Sequence, residues 1–110
     1  MTKIGVDDGE DDDGPALPED FVLRQNYPNP FNPDTWISYE LPEPGPVTVK
    51  IYNITGQLVK ALVDEEQAPG DYRVRWSGRD LHGAPVASGV YFCRLKAGAF
   101  NRTIRMVLVR

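Results

Sequence analysis
Apolar and polar residues alternate along most of this chain in short runs separated by glycine and proline. That two-residue period belongs to strands with one buried face. Thr35-Trp36-Ile37-Ser38-Tyr39-Glu40-Leu41 places Ile37, Tyr39 and Leu41 on one face. Val47-Thr48-Val49-Lys50-Ile51-Tyr52 turns Val47, Val49 and Ile51 inward and Thr48 and Lys50 outward. Asp71-Tyr72-Arg73-Val74-Arg75-Trp76 alternates most cleanly, with Tyr72, Val74 and Trp76 in and both arginines out. Tyr91, Cys93 and Leu95 share a face in a further strand, with Phe92 and Arg94 opposite. The last strand, residues 101–110, carries Ile104, Met106 and Leu108 on one side and Arg105, Val107 and Val109 on the other. Leu58-Val59-Lys60-Ala61-Leu62-Val63 is long enough for one helical turn, but its neighbours favour a strand. Phe21-Val22-Leu23 is a short apolar stretch.

The segments between these runs are turns. Asn53-Ile54-Thr55-Gly56 reads as a hairpin turn, residues 64–70 as a polar turn ending in Pro-Gly, and residues 77–85 as a long turn. Gln25-Asn26-Tyr27-Pro28-Asn29-Pro30-Phe31-Asn32-Pro33 holds three prolines, which lack amide donors and exclude helix or central strand there. Tyr27 and Phe31 are expected to pin this loop to the core edge. Six or seven short strands and no amphipathic helix predict an all-β fold. The expected form is an immunoglobulin-like antiparallel β-sandwich of about seven strands over residues 21–110.

Charge divides the 110 residues differently. Residues 1–20 hold eight acids and one base, a net −7, whereas the remainder holds eight acids and eleven bases, a net +3. The head therefore reads as an acidic linker or extended N-terminal arm. Clustered carboxylates also suit calcium, although aligning Gly14 with the EF-hand glycine puts Gly9 at the first ligand position. No apolar run approaches the ~20 residues of a membrane span, and residues 1–6 lack a signal peptide's apolar stretch. A secreted form is thus expected to belong to something longer.

Enzyme chemistry finds little support. A lone His82 lies in a turn, no Gly-x-Ser-x-Gly elbow surrounds Ser88, and a lone Cys93 takes an inward position where a thiol acts as a small hydrophobe. The domain is read as non-catalytic, without a cofactor. Arg73, Arg75, Arg94, Arg102, Arg105 and Arg110 read as outward charge or as a docking surface for a partner or an anionic molecule. The acidic head opposes nucleic acid as a partner. A carbohydrate-binding role would need exposed aromatics, for which Trp36 and Phe92 are the candidates. The sequons at Asn53 and Asn101 are short enough to arise by chance.

The nine-residue motif 25–33 combines with Ile51-Tyr52-Asn53-Ile54-Thr55-Gly56, Trp76-Ser77-Gly78-Arg79-Asp80 and Ala87-Ser88-Gly89-Val90-Tyr91-Phe92. With the terminal Arg105-Met106-Val107-Leu108-Val109-Arg110, this set resembles the C-terminal sorting domains of type IX secretion substrates. It is also similar to the immunoglobulin-like domain of flagellar hook-capping proteins. The resemblance covers residues 21–110. It departs at Cys93, where an aromatic is frequent, and at Asn53, where Asp is common.

The resemblance implies a sorting signal that targets cargo across the outer membrane to the cell surface. Its implied partners are the outer-membrane secretion machinery and a surface peptidase, and its implied location is secreted or cell-surface. The recognition residues carried over are Gly89, Tyr91, Leu95, Arg105, Met106, Val107, Leu108, Val109 and Arg110. The terminal strand is expected to be available for strand addition. The alternative is a self-associating extracellular structural subunit whose residues 2–6 add to a neighbour's sheet edge.

Overall fold
The structure is a computed structural model and describes residues 17–110. Seven strands follow one another: β1 Val22–Leu23, β2 Thr35–Leu41, β3 Gly45–Tyr52, β4 Leu58–Gln67, β5 Gly70–Trp76, β6 Gly89–Ala97 and β7 Phe100–Leu108. They form a three-stranded sheet in the order β1-β2-β5 and a four-stranded sheet in the order β4-β3-β6-β7. Every pairing is antiparallel. The expected all-β sandwich is the fold.

The inward sets read from the alternation make the core. Ile37, Tyr39 and Leu41 of β2 face Val49 and Ile51 of β3 and Cys93 and Leu95 of β6, with Met106 and Leu108 of β7 beside them, all buried. Trp76 lies at the centre of an aromatic cluster. Its ring centroid is 5.6 Å from Phe31 and 5.3 Å from Tyr91, which meets it edge-on. Its indole N–H donates to the Arg79 carbonyl at 2.9 Å, so burial leaves no donor unpaired.

Two features differ from the expectation. Residues 64–67 are not turn but continue β4, and the turn shrinks to Ala68 and Pro69. Asp64, Glu65 and Glu66 tolerate the strand because β4 is an outer edge, where charged side chains stay solvated and discourage unwanted pairing. Register shifts opposite Val49/Lys50 and Ile51/Tyr52 leave Leu62 and Val59 as extra residues in β4. Such bulges re-aim side chains, and here Val59 is buried while Leu62 packs partly against the core. The second difference concerns the proline loop. Phe31 is 1% exposed, as expected of an anchor, but the Tyr27 side chain is 79% exposed, and that residue holds the loop only through its backbone, which exchanges two hydrogen bonds with Trp36.

Tyr39 donates to Gln67 Oε1 at 2.7 Å and stacks on Tyr72 at 5.3 Å. Burial raises its pKa from 10.0 to about 12. The unfolded chain therefore gives up this proton first as pH rises. The corresponding stability is whole below pH 10 and is lost between pH 10 and about 12. Tyr39→Phe is expected to flatten that limb of a plot of urea midpoint against pH. An unchanged alkaline limb would contradict the assignment.

Candidate functional site
The proline loop and the end of β7, distant in sequence, are joined by hydrogen bonds. The Phe31 N–H donates to the Val107 carbonyl and the Val109 N–H to the Phe31 carbonyl, each at 2.9 Å. Asn29 Oδ1 accepts the Val107 N–H at 3.0 Å, and Gln25 Nε2 donates to the Arg105 carbonyl at 2.7 Å. Phe31 and Leu108 form a parallel bridge. The loop is braced from within. Buried Asn26 donates to Thr35 Oγ1 at 2.9 Å and to the Pro28 carbonyl at 3.2 Å, and Thr35 Oγ1 donates to that same carbonyl at 2.9 Å. The expected strand addition at the terminal strand finds its outer edge already paired, over residues 105–109, by the chain's own loop.

Arg110 completes the closure. Its N–H donates to Ser88 Oγ at 2.9 Å, its Nε to the Val86 carbonyl at 2.6 Å and a terminal nitrogen to the Gly78 carbonyl at 2.5 Å. Gly78 is needed there. Its φ is +70°, and a Cβ would lie 3.0 Å from the Arg110 guanidinium and 3.2 Å from the Pro33 carbonyl.

The recognition residues carried over from the resemblance fall into separate groups. Tyr91, Leu95, Met106 and Leu108 are core residues. Tyr91 also donates to the Ala87 carbonyl at 2.7 Å. Arg105, Val107 and Val109 contribute backbone groups to the loop contact, and Val109 is an exposed apolar side chain. Gly89 opens β6 opposite Leu108, with φ +154° and open space where a side chain would stand. Tyr91 pairs with Met106, whereas Leu95 lies opposite Arg102, farther along the hairpin. The structure gathers Gly89 and residues 105–110 at one end and leaves Leu95 apart. Sequence reasoning missed Gln25, Asn26 and Asn29 as the residues that hold this end. Their signal was polarity inside a segment too proline-rich to pair regularly.

The remaining candidates are accounted for by local structure. Asp80 Oδ1 accepts the N–H groups of His82 and Ala84 at 2.9 and 3.0 Å. These bonds, Ala84's first, hold the Asp80 carboxyl below its ordinary pKa. His82 is exposed in that turn, and Cys93 is buried with its thiol pushed up to about 12 by desolvation. Asn53 Oδ1 accepts the N–H groups of Thr55 and Gln57 and so shapes the β3–β4 turn. Among the described residues, no group of three His, Cys, Asp or Glu could hold a metal ion. Among the described residues no helix is long and apolar enough to cross a membrane. The acidic head, its calcium reading and the strand-adding residues 2–6 lie outside the described residues.

A loop-sealed two-sheet sandwich of this kind defines an immunoglobulin-like domain. Residues 31–99 match the family described as the FlgD Ig-like domain, and the chain belongs to that family. No curated protein matches the sequence.

Two solved chains from Porphyromonas gingivalis are similar. One is PorZ, described as an essential bacterial surface component of the type-IX secretion system. It is 27% identical with a TM-score of 0.52, and the match covers 82% of this chain and 11% of that one. The other is dimeric latent PorU. It is 19% identical with a TM-score of 0.61, and the match covers 92% of this chain and 10% of that one, a likeness of fold alone. This chain thus spans about a tenth of each of these proteins, 11% and 10% respectively.

Proposed function
We propose that residues 21–110 form a non-catalytic sorting domain of the type IX secretion kind. It directs an attached cargo across the outer membrane to the cell surface, where the secretion machinery and a surface peptidase recognise it. One observation carries this reading: residues 25–31 and 105–110, which belong to the first and last of the motifs that carry the resemblance, pair into one composite end of the sandwich. Such an end combines a rigid backbone path with exposed Arg105 and Val109, features a protein partner can read. The likeness to part of PorZ, at 27% identity, supports the same machinery as partner.

The test is fusion of the full chain behind a reporter in a type IX-competent bacterium. The reporter is expected on the cell surface, and Arg105→Ala with Arg110→Ala is expected to reduce display while leaving the reporter soluble in the periplasm. Display that persists in a strain lacking the type IX translocon would overturn the proposal.

A further inference from the structure
The cations of the two outer sheet faces are treated differently. On the three-stranded sheet, Arg24 pairs with Glu40, Arg75 pairs with Asp34 at 3.1 Å, and Arg73 lies over the Trp36 ring at 4.2 Å. On the four-stranded sheet, Lys50 stands directly opposite Arg94, and Lys96 and Arg105 follow on the same face. Like charges opposite one another oppose sheet formation unless something neutralises them. Among the described residues none of these four cations makes an ion pair. Asp64 and Glu66 lie on the same face of the edge strand, opposite Thr48 and Pro46, without closing one. Pro46, Thr48, Lys50, Tyr52, Arg94 and Lys96 line a shallow concavity of about 340 Å³. Arg94 lies 5.1 Å over the Tyr52 ring at its floor.

The acidic segment joins the body beside this concavity. Phe21 stacks on Phe100 at 5.3 Å and shares a small hollow with Pro46 and Gly98, residues that also rim the basic concavity. Six carboxylates stand at positions 7, 8 and 10–13. From residue 13 to Phe21 the chain spans up to roughly 28 Å when extended. From Gly98 to Lys96 is about 7 Å along the strand, and from Pro46 to Lys50 about 13 Å. A tether of that length raises the local concentration of the acids at the concavity to about the millimolar range.

We infer that the acidic segment 7–13 docks on the Lys50–Arg94–Lys96 concavity of its own domain and masks it. This goes beyond the sorting function and does not depend on it. The contact is electrostatic, so it exists at low salt and dissolves at high salt. Any anionic partner of that face must displace the segment, and cleavage between the segment and the domain uncovers it.

The test uses the full chain. Gly9→Cys provides a nitroxide attachment site, since Cys93 is buried. At ~10 mM salt, where the Debye length is ~30 Å, the label is expected to broaden the amide resonances of Thr48, Lys50, Arg94 and Lys96. Broadening should vanish at ~1 M salt, where that length is ~3 Å. It should also vanish when the six acids are changed to Asn and Gln, or in Lys50→Gln with Lys96→Gln. Broadening confined to residues 17–21, or centred on the Trp36 and Arg73 face, overturns the inference. So does broadening of an unlabelled, isotope-enriched chain mixed with a labelled one, which would assign the segment to a second copy.

Discussion

Phe31→Ala is expected to lower stability by about 3–5 kcal/mol, as deletion of a fully buried aromatic side chain does. A domain of this size has only about 5–15 kcal/mol in total, so the variant approaches the folding threshold. Phe31 fills space against Trp76, and its backbone carries both bonds to Val107 and Val109. Losing the ring removes the anchor that holds those bonds in register. Hydrogen exchange at Val109 should therefore accelerate beyond what the global loss of stability accounts for, while exchange in β3 tracks global unfolding. Thermal melting provides the first measure, at about 4–8 °C per kcal/mol for a domain of 60–100 residues. Tyr27→Ala is the internal control, with a change within about 0.5 kcal/mol, because that ring is largely in water. Equal losses for the two variants would contradict the anchoring role of Phe31.

The second large effect concerns Cys93. Its side chain is wholly buried at the centre of β6, and its thiol pKa stands at about 12. Both steric access and thiolate formation oppose reaction. Under native conditions, a thiol-specific reagent is expected to modify Cys93 only through global unfolding. Folded-to-unfolded ratios of about 10³–10⁸ for such domains put labelling at least ~10³-fold below its rate in denaturant. Thr103→Cys, on the exposed outer strand, should react at once. Prompt labelling of Cys93 in the folded protein would show that the two sheets part locally, and the compact core described above would then be wrong. The same measurement establishes that a cysteine placed at residue 9 is labelled alone.

The alternation of β2, β3, β5 and β6 was legible because each strand buries one face, and burial writes a two-residue period into the sequence. β4 was only half legible. Its bulges break the period at Val59 and Leu62, and Asp64, Glu65 and Glu66 look like a turn unless the strand is known to be an edge. Tyr27 and Phe31 were indistinguishable by residue type, since their difference comes from which one meets Trp76. The candidate site was legible as motifs but not as a surface. Gly89, Tyr91 and Leu95 lie on one strand, yet Tyr91 and Leu95 serve the core. The pairing of residues 25–31 with 105–109 rests on two bonds between backbone groups, which carry no residue-specific signature, and on the Gln25 and Asn29 side chains, whose polarity does not name a partner. Arg110 as a three-bond clamp was equally invisible, because its acceptors are a hydroxyl and two carbonyls from turns.

Pairing of the loop at residues 25–31 with residues 105–109 also sets a temporal order. A ribosome presents the loop well before its bonding partner, so the nascent domain lacks its fourth large-sheet strand until residues 100–108 have been made. Until then Trp76 and Phe31 have no Met106 or Leu108 beside them, and Gln25 and Asn29 bind water. A chain arrested before residue 105 should accordingly remain protease-sensitive along its whole length, rather than forming a nearly finished sandwich with one loose end.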